Sequence, residues 1–349
     1  MKTIQLPHGV IPVPIFLPDA TRGVVRTLDS SDLEACKVEA LVMSTYHLMQ
    51  NPGSTTIQSL GGLHRMTNWK RPIITDSGGF QIFSLIRQNA KFGSLSNKGA
   101  SFRIDGSSRK HNLTPEKSIQ LQMSYGADVV ICLDDCTHVD DPLEAQRESV
   151  RRTIEWAHRS KREYNRLVEQ KMLVASQRPK IVAVIQGGGV KELRKQCAEA
   201  LLEIGFDGFG YGGWPLDGQG NLLIDILGYT HSLVPGEFPF HALGVAHPAN
   251  IKACFQLGYD LFDGAMPTRD ARHGRLYSDT NPYVYIYDNR YIKETDPVSV
   301  ACDCLTCTHY SLGYLHHLFK IGDSLSLRLA TIHNLRFMTR FIESLRDEK

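Results

Sequence analysis

Eight short runs rich in Val, Ile and Ala, separated by stretches of amphipathic helical character, constrain this chain more than any other feature. They lie near Val13 to Leu17, Ala40 to Tyr46, Pro72 to Thr75, Ala127 to Leu133, Lys180 to Ile185, Phe206 to Tyr211, His241 to Val245 and Tyr259 to Phe262. Alternation of this kind predicts a parallel sheet with helices packed outside it, and eight units predict a (β/α)₈ barrel; an open doubly wound sheet is the alternative. Helix starts are marked by Thr114 before Pro115 and Glu116, by Asp141 before Pro142, and by Pro248 opening the segment through Cys254. Two stretches break the rhythm. Phe92 to Leu113, with turn residues Asn97-Lys98-Gly99 and Asp105-Gly106, reads as an inserted hairpin, and Tyr283 to Ile292, centred on Asp288-Asn289, reads as a second. A continuous helical pattern runs from about Leu315 to Leu345.

With 42% hydrophobic and 22% charged residues among 349, the chain fits a soluble globular protein and neither a disordered nor a fibrous one. Lys and Arg total 39 against 37 Asp and Glu, so a nucleic-acid surface would have to be a local patch. No apolar run approaches a membrane span, and Pro7, Pro12, Pro14 and Pro18 interrupt the N-terminal segment, so neither a transmembrane helix nor a signal peptide is expected. The absence of any repeat or flexible linker predicts one domain over residues 1–349.

Three of the eight cysteines, Cys302, Cys304 and Cys307, form C-x-C-x-x-C. Thiolates this close converge on a soft cation without long loop closure, which points to zinc in a reducing, cytoplasmic compartment. A fourth ligand closes a tetrahedral site. His333, on the helical stretch returning past the cluster, is the first choice, and His309, His316 and His317 are competitors. Four protein ligands leave no position for water, so this zinc would be structural and would make 276–345 a zinc-binding subdomain with a closing helix.

Polar residues terminate the apolar runs repeatedly. Asp76 opens Ser77-Gly78-Gly79, Asp134 and Asp135 follow Leu133, and other runs end in Gln186-Gly187-Gly188-Gly189, Gly212-Gly213 and Asp263-Gly264. One such carboxylate serves equally well as a helix cap, and Asp135 is a candidate for that role. Several on one barrel face repel one another in a shared site, and two at suitable spacing suit nucleophilic and acid/base chemistry at an acetal carbon. The glycine pairs let main chain approach a flat ligand, and Phe80 is placed either to stack on it or to fill core. Thr268 to Arg275 holds three Arg against one Asp and is either a phosphate track or a solvated loop. Arg336 and Arg340 either extend that track or lie on the exposed face of the last helix.

These motifs together resemble the tRNA-guanine transglycosylases of bacterial type, from about Phe16 to the C-terminus. They are Thr45-Tyr46-His47-Leu48, Pro52-Gly53, Thr75 through Gln81, Ile185 through Gly188, Gly208 through Gly213, Phe262-Asp263 with Pro267-Thr268-Arg269, and the cysteine cluster with its later histidine. The resemblance implies an enzyme that exchanges the wobble guanine of G-U-N anticodons for a 7-deazaguanine, leaving the sugar-phosphate backbone intact. It matches Asp263 to the nucleophile that forms a covalent bond with the ribose and Asp76 to the general acid/base. Asp134, Gln186 and the Gly213 main chain match readers of the base, Phe80 its stacker, and Cys136 and Leu243 further pocket residues. Arg269 and Arg272 match contacts to the anticodon loop, His333 the fourth zinc ligand, and the family's usual state is a homodimer.

Trp214-Pro215-Leu216-Asp217 departs from the family, which usually has small aliphatic residues and then Gly-Glu in this loop beside the 7-substituent. Cys136 favours 7-aminomethyl-7-deazaguanine, and the bulk of Trp214 and Leu216 argues against the wider pocket expected for queuine. Two alternatives are the same exchange on DNA and a non-catalytic tRNA-binding subunit. Retention of both Asp76 and Asp263 disfavours the second, which needs neither.

Overall fold

In a computed structural model describing residues 2–89, 91–103, 110–279 and 283–348, all eight expected strands join one parallel sheet. They are β1 (Ile15–Pro18), β2 (Leu41–Met43), β3 (Ile73–Thr75), β4 (Val129–Ile131), β5 (Lys180–Ile185), β6 (Gly208–Tyr211), β7 (Phe240–Ala242) and β8 (Leu261–Gly264). Their hydrogen-bonded order is β1-β8-β7-β6-β5-β4-β3-β2. A parallel bridge between Asp19 and Val42, with the Ala20 N–H donating to the Val42 carbonyl at 2.8 Å, brings the two ends together. The barrel expectation holds, and the open-sheet alternative fails.

Both faces of these strands are apolar, as burial on both sides requires. Ile15, Leu17, Val42, Ile74, Val129, Ile131, Val184 and Leu261 form the barrel interior, whereas Phe16, Leu41, Met43, Ile73, Val130, Ile181, Ile185 and Phe262 join the larger core that includes the helices. Side chains alternate with period two, so the inward sites beyond Leu17, Ile74, Val184 and Leu261 fall to Asp19, Asp76, Gln186 and Asp263. Pattern alone gathers these polar groups at the C-terminal mouth.

Thr114 caps helix Pro115–Tyr125 as expected, accepting from the Lys117 N–H at 3.2 Å. Helix Leu143–Gln170 does follow Pro142, but the Asp141 carboxylate accepts from the His138 N–H at 2.9 Å and does not cap it. An unexpected N-terminal hairpin, Thr3–Leu6 with Gly9–Pro12, inserts Leu6 and Ile11 into the interior cluster and closes the other end of the barrel.

Three further expectations need correction. The first insertion is a three-stranded antiparallel sheet, Gly93–Ser96, Gly99–Arg103 and Lys110–Leu113; the Asp105-Gly106 turn lies outside the described residues. The second hairpin pairs Val284–Tyr285 with Arg275–Leu276, and Asp288 instead caps a 3₁₀ turn, Asn289–Tyr291. The final helical pattern is two helices, Leu312–Ile321 and Ser324–Asp347, divided where Gly322 adopts φ +70° and Asp323 caps the second. These helices, with Leu276, Val284, Ile286 and Val298, enclose a small core of their own.

Candidate active site and metal centre

A cavity of about 440 Å³ opens at the C-terminal mouth of the barrel, where a fold of this kind carries its chemistry. Asp76, Phe80, Asp134, Cys136, Gly213, Leu243 and Asp263 all line it. Gln186 is wholly buried behind them, its amide Nε2 donating to Asp134 Oδ2 at 2.6 Å, while its own Oε1 has no hydrogen-bond partner. A buried acceptor beside a cavity can take a hydrogen bond from a bound ligand or water.

Asp263 ends β8. Its Oδ1 accepts from the Gly244 N–H at 2.8 Å and lies 2.9 Å from His241 Nε2, which fixes the carboxylate, while Oδ2 takes no hydrogen bond among the described residues. Asp76 is held by the Thr45 and Gly78 N–H groups at 2.8 and 2.9 Å and by Gln81 Nε2 at 3.2 Å. Burial nevertheless pushes its carboxyl up to about 6, against the lowering by those donors. Asp134 is driven further, to about 7, by burial first and then by the neighbouring Asp135 and Asp76 charges. Two carboxyls displaced toward neutrality in one cavity suit proton transfer near pH 7.

Glycine is needed at two positions. Gly78 sits at φ +79° where the chain turns from β3 into helix Gly79–Gln88, and a side chain at Gly212 would strike the Gln186 amide at 2.5 Å. Phe80 is 46% exposed at the rim, its ring centroid 4.9 Å from that of Trp214, so it stands as a cavity wall and not as core. With Cys136, this pair also borders a second cavity of about 260 Å³ that reaches Arg87, His138 and Asp141. Burial pushes the Cys136 thiol up to about 12, so it stays neutral beside Asp134, and the Gly213 N–H faces its sulfur.

Asp135, by contrast, is buried and paired with Arg152, and it takes no place in the cavity. Arg269 and Arg272 lie on helix Met266–Arg272 directly after β8, Arg269 exposed and Arg272 half-buried with Nη1 lacking a partner. Arg336 is neither track nor exposed face: it is buried between Asp303 and Glu343, at 2.6 and 3.0 Å, because the cysteine loop covers it. Arg340 lies 3.8 Å from Asp279.

Cys302, Cys304, Cys307 and His333 bring their ligand atoms within 4.8 Å of one another. His333 Nδ1 faces Cys307 Sγ at 3.2 Å and Cys304 Sγ at 3.8 Å. Its other nitrogen lies 2.7 Å from the Tyr277 carbonyl, so an Nε2–H there orients Nδ1 toward the sulfurs. None of His309, His316 and His317 joins the group. Three thiolates and one imidazole in a buried cluster have the donor chemistry of a closed metal site.

Reading the sequence for strand ends missed Asp19, Gln81 and His241. Asp19 and Gln81 line the cavity, and His241 is buried beneath Asp263. Asp19 carried the same signal as Asp76, an aspartate following an apolar run. His241 starts its run, so only the pairing of β7 with β8 reveals its neighbour.

Comparison with known proteins agrees with this geometry. The family described as Queuine tRNA-ribosyltransferase matches residues 1–348. A queuine tRNA-ribosyltransferase of Thermoanaerobacter sp. is 36% identical over 346 residues, covering 99% of this chain and 88% of the relative. One from Halothermothrix orenii is 36% identical over 345 residues, covering 98% and 88%, and one from Staphylococcus epidermidis is 34% identical over 344 residues, covering 99% and 87%. Matched along essentially its whole length, the chain belongs to the queuine tRNA-ribosyltransferase family of pentosyltransferases.

Proposed function

We propose that the protein exchanges the wobble guanine of tRNAs with G-U-N anticodons for a 7-deazaguanine, through a covalent bond between Asp263 and the target ribose. The observation that carries this reading is the shared cavity: a carboxylate anchored through one oxygen by His241 and Gly244, opposite a second carboxyl brought near neutrality. Asp263 Oδ2 attacks C1′, the C1′–N9 bond breaks, and its electron pair leaves on N9 of the guanine, which takes up a proton from water. The incoming base gives its N9 proton to the Asp76 carboxylate, N9 then displaces the Asp263 carboxylate from C1′, and Asp76 returns the proton to water. Asp134 and Gln186 read the base edge, Asp134 accepting from ring N–H and amine, with the Gly213 N–H as donor to the base carbonyl. Phe80 covers the ring, Cys136 and Leu243 shape the pocket, and Arg269 and Arg272 hold anticodon-loop phosphates.

For the incoming base we favour 7-aminomethyl-7-deazaguanine over queuine, because the Phe80–Trp214 contact and buried Cys136 narrow the wall beside the pocket. We assign the Cys₃His cluster to structural zinc, which supplies a fold-stabilising cross-link and no chemistry. Residues 276–345 then form a subdomain of a single catalytic domain, supported by their separate small core. The reading extends to a cytoplasmic homodimer in which one copy helps hold the tRNA. Among the described residues no helix is long and apolar enough to cross a membrane. Labelled guanine incorporated into unmodified G-U-N tRNA, and not into DNA of the same sequence, is the expected result. Incorporation into DNA alone, or into neither polymer by folded protein, would overturn the proposal.

Asp76 must be ionised to take a proton and Asp134 to accept from the base, so kcat/KM for exchange should climb between about pH 5 and pH 7.5 and then level off. A profile flat down to pH 4.5 would contradict these roles. Stability has the opposite dependence. Asp134 binds its proton more tightly folded than unfolded, so its contribution is full below about pH 4 and is lost as pH rises through about 7. Asp134→Asn should therefore stabilise the protein at pH 8, by a few kcal/mol in order of magnitude, and less at pH 5, while exchange is lost. Thermal melts at the two pH values check the sign.

A further inference from the structure

Asp19 has no part in the chemistry described so far, yet it sits at the centre of it. It follows β1 at the seam where the barrel closes, bridged to Val42. Leu17 is the cross-strand partner of Asp263, and Asp19 is the next inward position beyond Leu17, so both carboxylates line one wall of the cavity. Only one Asp19 oxygen is engaged: Oδ1 accepts from the Thr21 N–H at 3.0 Å and from the Thr21 hydroxyl. Among the described residues nothing donates to Oδ2. Burial and the nearby Asp263 charge push the Asp19 carboxyl above its usual range, while His47 opposes them. Arg272, whose Nη1 is buried without a partner, also feels the Asp19 charge.

A second carboxylate beside a nucleophile repels it, so it needs a donor that arrives with the substrate. The chemistry of the target limits which donor that is. The nucleophile must reach C1′, whose neighbouring oxygens are O4′ and, on the adjacent carbon, O2′. O4′ carries no proton and a phosphate is an anion, so a carboxylate disfavours both. Among these backbone and sugar groups the 2′-hydroxyl alone can donate.

We propose that Asp19 accepts a hydrogen bond from the 2′-hydroxyl of the target ribose and makes the site select ribose over 2′-deoxyribose at that nucleotide. This rests on the base-exchange reading. The contact strengthens as positive charge develops at C1′, since the neighbouring hydroxyl becomes a better donor, so it acts on the rate of bond breaking as well as on binding.

The test uses two anticodon hairpins identical except for guanosine or 2′-deoxyguanosine at the target, with single-turnover exchange of labelled guanine. Comparing protein variants on the same pair cancels the intrinsic difference in glycosidic lability. The ribose-to-deoxyribose rate ratio should fall about 10- to 100-fold in Asp19→Ala and by less in Asp19→Asn, which keeps an acceptor. Removing the Asp19 charge acts on Asp263 alike with either hairpin, so the ratio, and not the deoxy rate alone, carries the readout. Equal losses on the two hairpins would make Asp19 a support for the Thr21 loop only, and an unchanged ratio would also overturn the assignment. Failure of the unaltered protein to exchange on the ribose hairpin would instead refute base exchange itself, and this inference with it.

Discussion

Asp263→Asn is expected to lower guanine exchange by about 10⁴-fold while affinity for an anticodon hairpin stays within a few-fold. The substitution is nearly isosteric. The Asn side-chain oxygen still accepts from the Gly244 N–H and still faces His241, so the mouth of β8 keeps its shape. What disappears is the anionic oxygen that attacks C1′. A neutral amide is a poor nucleophile, and the other cavity carboxylates are held elsewhere: Asp76 by Thr45, Gly78 and Gln81, Asp134 by Gln186, and Asp19 by Thr21. Exchange rates by radiolabel and hairpin binding by titration separate the two effects. Full turnover by this variant would remove Asp263 from the nucleophile role.

Loss of the metal cluster is expected to have the second-largest effect, on stability and not on chemistry. Cys304→Ser should reduce bound zinc from one per chain to nearly none and lower Tm by about 10 °C or more, since a structural site of this donor set contributes several kcal/mol or more to folding. The geometry gives the reason. The cysteines lie around the short helix Leu305–His309, whereas His333 comes from helix Ser324–Asp347, and the barrel itself supplies no cross-link between them. Among the described residues two side-chain hydrogen-bonded links reinforce the contact, Thr306 Oγ1 to the Leu329 carbonyl at 2.6 Å and Arg336 to Asp303. His333→Ala should behave like Cys304→Ser, and His316→Ala should retain the metal. An unchanged zinc content in Cys304→Ser would refute the ligand set.

Much of the fold was legible because strand burial leaves a strong mark. Runs such as Val129-Val130-Ile131 are apolar on both faces, which distinguishes barrel strands from surface strands without reference to partners. The same pattern pointed to Asp76, Asp134 and Asp263, which line one cavity, since several aspartates after such runs on one barrel face are harder to explain as caps than a single one. Asp19 went unnoticed although it obeys that rule, because its run is brief and ringed by prolines that read as interruptions.

Other misreadings came from signals with two meanings. Asp288-Asn289 is good turn chemistry but equally good capping chemistry, and the chain uses it as a cap. Arg336 lies on an apparently polar helix face, yet Asp303, between two cysteines, folds over it and turns surface into interior. His241 illustrates the general limit. Its role is set by which strand lies beside β7, and lateral order within a sheet is written in no single segment.

The measurement closest to the central claim locates the covalent link. Anticodon hairpin incubated with the protein, quenched under denaturing conditions and digested, should yield an RNA-modified peptide whose modified residue is Asp263, with no adduct from Asp263→Asn. Asp76, Asp134 and Asp19 should be unmodified. An adduct at any of those three, or guanine exchange proceeding in Asp263→Asn with no adduct at all, would contradict the account.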